Sequence, residues 1–243
     1  MKVSRLPDGS PEIFHTLQGE GPSLGAPAVF LRLSLCNLHC RWCDTPYTWN
    51  WEKTPWKHQD DRKFSKKEQI IELTPAQLAP LISHHQCHRL VLTGGEPLLQ
   101  QKELAELARL LPDLPHLEVE TNGTQIPDDD FLALSPQFNV SPKLSNSGMD
   151  EKLRLIPEAL SLFSSHPKAI FKFVVCTRAD LEEVQSLQHR FQLSCDRLFL
   201  MPEGRDSDTL HDRSLWLADI CRDHGYRFSP RLHVLLWGNE RAK

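Results

Sequence analysis

The sequence predicts an α/β chain folded as an open, partial (β/α)6-type barrel, and three observations predict it. Six short runs are almost continuously apolar, which suits parallel strands covered on both faces. The stretches between them carry the period of amphipathic helices, so strand and helix alternate as in βαβ units. The residues that follow the strands are Cys, Gly, Asn and Pro, gathered at what becomes one rim of a barrel. Six units fall short of the eight of a closed barrel, hence the expectation of an open one.

The strands are expected at PAVFLRLSL (27–35), RLVLT (89–93), LEVET (117–121), FNVS (138–141), AIFKFVV (169–175) and RLFLM (197–201). Helices are expected between them. Thr74–Pro75 reads as an N-cap followed by proline at the first helical position. LLQQKELAELARLL (98–111) keeps leucines at helical spacing, and DLEEVQSLQHRF (180–191) continues the series. TLHDRSLWLADICRDHG (209–225) closes it on glycine. Residues 46–68 break the pattern: three tryptophans stand among charges and prolines just after a cysteine cluster. This reads as an insertion, either a surface excursion or a lid or partner surface, within a single domain of residues 1–243.

Composition narrows the function classes. The 243 residues are 40% hydrophobic and 25% charged, with a net charge of −4, the profile of a soluble globular chain. That charge is the wrong sign for a nucleic-acid surface. The opening MKVSRLPDGSPEIF lacks the apolar core of a signal peptide, and no apolar run is long enough to span a bilayer. Four of the seven cysteines, Cys87, Cys176, Cys195 and Cys221, stand singly and read as reduced thiols of a cytoplasmic protein.

The other three crowd into CNLHCRWCDT as Cys36, Cys40 and Cys43, a C-x3-C-x2-C spacing. Thiolates are soft ligands that take zinc, copper(I) or iron–sulfur clusters. A structural zinc needs a fourth ligand, for which His39, His15 and His58 are the candidates, although such sites usually arrange their ligands as two separated pairs. A [4Fe–4S] cluster held by three thiolates instead leaves one iron open to a small molecule.

The loop resembles the signature of the radical S-adenosylmethionine superfamily, with Trp42 as the aromatic before the last cysteine. Gly94–Gly95–Glu96–Pro97 resembles that superfamily's GGEP motif. Glycines admit close approach of backbone and cofactor, and a carboxylate accepts from an ammonium group. The resemblance implies a radical SAM core whose open iron is chelated by S-adenosylmethionine. Gly94, Gly95, Glu96, Thr121, Asn122, Ser141 and Lys143 would contact that cofactor.

Within the superfamily, residues 14–45, 93–100, 119–124, 139–145 and 228–239 are similar to the 7-carboxy-7-deazaguanine synthases of queuosine biosynthesis. The resemblance spreads over most of the chain and is thinnest after Thr48 and in the later helices. It implies a lyase that acts on 6-carboxy-5,6,7,8-tetrahydropterin. A 5′-deoxyadenosyl radical takes hydrogen from C6, the ring contracts in a Mg²⁺-dependent step, and ammonia leaves. It also implies Thr45 as a magnesium ligand, with Asp44 as partner of a metal-bound water. Substrate contacts are expected from Gln18, Gly19, Glu20, Glu120 and His233, the last placed on an apolar strand. Arg32, a charge in the middle of an apolar run, is suited to gripping the substrate carboxylate. A homodimer and reduction by a flavodoxin or ferredoxin are further implications. A glycyl-radical activating enzyme and a zinc-stapled binding module are the alternative readings.

Overall fold

The computed structural model of the protein describes residues 1–111 and 116–243. Its strands are β1 (Lys2–Ser4), β2 (Ile13–Leu17), β3 (Pro27–Leu33), β4 (Ile70–Glu72), β5 (Arg89–Gly94), β6 (His116–Thr121), β7 (Gln137–Val140), β8 (Ala169–Val175), β9 (Leu198–Pro202) and β10 (Arg227–Phe228). They form one sheet in the order β10-β9-β8-β7-β6-β5-β3-β1-β4, with β2 pairing to β3. From β3 through β5 to β10 every neighbour is parallel. Strands β1, β2 and β4 are antiparallel additions at one end. Among the described residues no pairing joins β10 to β4, so the barrel is open.

The six expected strands are β3, β5, β6, β7, β8 and β9, each within two residues of its expected bounds. Their alternation makes the architecture. In β8, Ala169, Phe171, Phe173 and Val175 join the core beneath the helices, while Lys172 and Val174 face a central cavity. The same parity holds in β3, where Val29, Leu31 and Leu33 pack outward and Phe30 and Arg32 face in. In β6, Leu117 and Val119 enter the core and Glu120 lines the cavity.

The helices follow their sequence signals. Thr74 forms a full capping box with Gln77 at the start of helix Pro75–Ser83. Helix Asp180–Phe191 has the expected bounds, and helix Ser207–His224 ends at Gly225 with φ 71°. One expectation fails. The run around His233 is not a strand: Leu232–Trp237 form a short helix. A continuous apolar run does not by itself separate a strand from a buried helix.

Residues 46–68 wrap the cysteine loop. Trp49 is 2% exposed, and the His39 ring stacks on Trp56 with centroids 3.7 Å apart. The Lys63 ammonium gathers Asn50 Oδ1 at 2.7 Å and the Thr54 carbonyl at 3.1 Å. The chain after β10 returns across the open side of the barrel. Ser229 N–H donates to Leu200 O at 2.9 Å, and Arg241 reaches Glu12 Oε2 at 2.6 Å and Gln69 Oε1 at 3.1 Å beside β1 and β4. Among the described residues no helix is long and apolar enough to cross a membrane.

The outer core centres on Phe138, fully buried, with its ring 5.1 Å from Phe163 and 6.3 Å from Phe131. Phe138→Ala is expected to cost about 3–5 kcal/mol in denaturant unfolding; a loss below about 1 kcal/mol would contradict this packing.

Candidate active site

The strands' C-terminal ends surround a cavity of about 560 Å³. Every residue expected to contact the cluster, S-adenosylmethionine, magnesium or substrate lines it except Glu96. The cavity has a sulfur end and a charged end.

Cys36, Cys40 and Cys43 form the sulfur end, all as free thiols, and no other cysteine lines the cavity. Burial pushes the three thiols up, Cys40 to about 12. Left alone they stay protonated, and a soft cation is what draws thiolates from them. The loop is pinned on both sides. Trp42 Nε1 donates to Asn146 O at 3.0 Å, and Asn122 Nδ2 donates to Asn37 Oδ1 at 3.0 Å. His58 Nε2 lies 2.8 Å from Cys43 O and His39 is stacked on Trp56, so both rings serve packing. Among the described residues no group of three or more His, Cys, Asp or Glu side chains is arranged to hold a metal ion. A cluster with one iron per thiolate asks for no such convergence, whereas a tetrahedral zinc draws its ligands together on one ion.

Gly94 and Gly95 serve a purpose the sequence did not reveal. Gly94 has φ +113°, and a Cβ there would lie 2.1 Å from Leu33 O; one on Gly95 would lie 1.9 Å from Leu35 O. The pair zips β5 to the end of β3, with Gly95 N–H on Leu33 O at 2.9 Å and Glu96 N–H on Leu35 O at 2.8 Å. This closeness delivers the cysteine loop. Glu96 lies below the cavity wall, fully buried. Its carboxylate accepts from Thr121 Oγ1 at 2.8 Å, Asn122 N at 2.7 Å and Leu98 N at 3.1 Å. The expected partner of a cofactor ammonium braces the 121–122 turn, with three of its four acceptor positions taken by the chain itself.

Thr121, Asn122, Ser141 and Lys143 line the wall above that brace. Lys143 Nζ donates to Ser141 Oγ at 2.8 Å, lies 5.7 Å from the Trp42 ring centre, and has no carboxylate at ion-pair distance among the described residues. Thr45 Oγ1 is 3.6 Å from Cys43 Sγ, and Asp44 is ion-paired to Arg231. Burial works against ionisation of Asp44, but Arg231 outweighs it and holds the carboxyl below the usual range.

The charged end is one network. Glu20 receives Lys172 Nζ at 2.6 Å and Arg231 Nε at 3.1 Å. Glu120 receives Lys172 at 2.7 Å, Asn139 Nδ2 at 2.8 Å and Gln18 Nε2 at 3.3 Å. Burial raises Glu20, yet Lys172, Arg231 and His233 together hold it well below the usual carboxylate range. Glu120 shifts upward, first through burial, with the charge of Glu20 adding to it. His233 Nε2 lies 3.9 Å from Glu20 Oε1, and burial lowers its imidazole. Gly19 packs so closely on His233 that a Cβ would meet Nδ1 at 2.3 Å. Arg32 Nε donates to Glu12 Oε1 at 2.8 Å, and Arg241 donates to the other oxygen of the same carboxylate, Oε2, at 2.6 Å.

Sequence reasoning missed Lys172, Arg231, Glu12 and Arg241. Lys172 was within reach: it is a charge in the middle of AIFKFVV, the same signal that singled out Arg32 in PAVFLRLSL.

A sulfur end carried on a parallel barrel mouth defines a radical SAM protein, and the Radical SAM superfamily model matches residues 32–156. The 7-carboxy-7-deazaguanine synthase of Pyrobaculum aerophilum is 38% identical, over 96% of each chain. That of Halobacterium salinarum is 34% identical, over 94% of this chain and 90% of its own. The crystal structure of QueE from Escherichia coli superposes with a TM-score of 0.64 at 25% identity, covering 96% of this chain and 95% of the other. The chain belongs to the 7-carboxy-7-deazaguanine synthase family of radical SAM lyases. Membership implies S-adenosylmethionine and a [4Fe–4S] cluster. The donor set fits: three free soft ligands share one wall, with an unpaired Lys143 beside them.

Glu20 is held ionised below its ordinary 4.5, so the stability it adds is present above pH about 4.5 and lost as pH falls below that value. Glu20→Gln is expected to flatten the fall in melting temperature between about pH 5 and pH 3. An acid limb as steep as the parent's would show that its ion pairs add nothing.

Proposed function

We propose that the cavity converts 6-carboxy-5,6,7,8-tetrahydropterin to 7-carboxy-7-deazaguanine with loss of ammonia. The observation that carries this reading is the meeting, in one cavity, of a three-thiol loop with Gln18, Glu20, Arg32 and Glu120. When bound, the cluster and S-adenosylmethionine supply hydrogen-atom abstraction at C6 of the pterin.

The chain's own residues do the rest. Cys36, Cys40 and Cys43 hold the cluster. Lys143 offers a charge to the cofactor carboxylate, and Gly94, Gly95, Thr121, Asn122 and Ser141 shape the wall it rests on. Glu96 acts one step removed, by holding the 121–122 turn. Arg32 grips the substrate carboxylate while Glu12, itself held by Arg241, fixes its guanidinium. Gln18, Gly19, Glu20, Glu120 and His233 read the pterin. Thr45 would be a magnesium ligand, with Asp44 as the partner of a metal-bound water; hard oxygens at this mouth suit Mg²⁺. The whole chain works as one domain and as a homodimer in the cytoplasm, reduced by a flavodoxin or ferredoxin.

The deciding experiment is anaerobic turnover of 6-carboxytetrahydropterin by cluster-reconstituted protein with S-adenosylmethionine, dithionite and Mg²⁺, read by mass spectrometry. Absence of the deazaguanine product with an intact cluster overturns the reading. Thr45→Ala is expected to raise the Mg²⁺ concentration for half-maximal activity at least ~10-fold with cluster absorbance unchanged. Arg32→Lys keeps a charge for Glu12 but loses the planar fork, and is expected to raise KM ~10–100-fold; an unchanged KM would remove Arg32 from substrate binding.

A further inference from the structure

Lys172 projects from the middle of β8 into the cavity, its side chain 3% exposed. An ammonium has three donors. Two of them go to Glu20 Oε2 at 2.6 Å and Glu120 Oε2 at 2.7 Å. The third has no acceptor among the described residues, a costly state for a buried charge unless an occupant of the cavity provides one. The flanking carboxylates keep acceptor capacity in turn. Glu20 Oε1 receives only Arg231 Nε and the weaker approach of His233, and Glu120 has one of its four lone-pair positions left. The wall therefore presents one buried donor between carboxylate acceptors.

That pattern is complementary to one edge of a 4-oxo pterin: a carbonyl oxygen at position 4 beside the N3–H and 2-amino donors. A 4-amino pteridine inverts it, setting N–H against the ammonium and a ring lone pair against a carboxylate. We propose that Lys172 is a specificity-determining residue, donating its third N–H to the 4-oxo oxygen while a flanking carboxylate accepts from N3–H and the 2-amino group. The proposal rests on the pterin reading of the cavity and adds to it the choice of 4-oxo over 4-amino rings. A buried polar pair left unmatched discriminates far more strongly than a change of size does.

The test is equilibrium binding of 6-carboxypterin and of 2,4-diaminopteridine-6-carboxylate, followed by ligand fluorescence, to reconstituted protein with S-adenosylmethionine. The wild-type protein is expected to favour the 4-oxo acid at least ~100-fold. Lys172→Met is expected to lower that ratio at least ~10-fold. Because it leaves two carboxylates facing each other, the charge-balanced Glu20→Gln/Lys172→Met protein is measured beside it, each checked for a wild-type-like thermal transition. Variants that weaken both ligands equally and keep the wild-type ratio would make Lys172 a counter-charge alone. A wild-type ratio near one overturns the proposal without any variant. Failure of wild-type protein to bind either acid removes the pterin reading itself, and the proposal with it.

Discussion

A charge placed inside a barrel must be balanced there, and the site is organised around that constraint. Lys172 from β8, Glu20 from the loop after β2, Arg231 from the chain after β10, and Asp44 from the cysteine loop form one continuous chain of ion pairs. Each of the links joins segments more than 150 residues apart in sequence. Withdrawing an ion from water costs several kcal/mol, and removing one partner of a buried pair leaves that penalty uncompensated. The network therefore ties the charged end of the cavity to the cysteine loop through Asp44. It also fixes the sites where carboxylates can be offered to a ligand.

The second constraint is backbone proximity at the sulfur end. Gly94 and Gly95 let β5 ride against the last residues of β3, so that the chain leaving β3 turns directly into the cysteine loop. Glu96, one residue on, spends its carboxylate on the turn after β6. A four-residue motif thus fastens three consecutive parallel strands at their C-terminal ends. The 46–68 segment clamps the same loop from outside through Trp49, Trp56 and His58.

Much of this was legible in the sequence, for identifiable reasons. Strands buried on both sides must be apolar almost throughout, so β3, β5, β6, β7, β8 and β9 announced themselves. Strands β1, β2, β4 and β10 did not: β1, β4 and β10 are only two or three residues long, and β2, IFHTL, is only partly buried, so no run of apolar residues marks it. The cysteine spacing and the glycine pair were visible as local patterns. Their partners were not, because Arg231 and Glu12 become site residues only through contacts that the fold creates across the chain. Glu96 shows the opposite limit. Its motif was recognised, but which way a carboxylate points is decided by the donors around it.

The route of the chain after β10 has a mechanical consequence. The open side of the barrel is spanned by side-chain contacts of Arg241 with Glu12, Ser4, Gln69 and the face of Tyr47, where a closed barrel would have a ladder of backbone hydrogen bonds. Such a clasp can be undone while every parallel strand stays paired. The platform that carries the three thiols is therefore held by the parallel ladders from β3 to β10, and owes none of its backbone hydrogen bonds to that clasp.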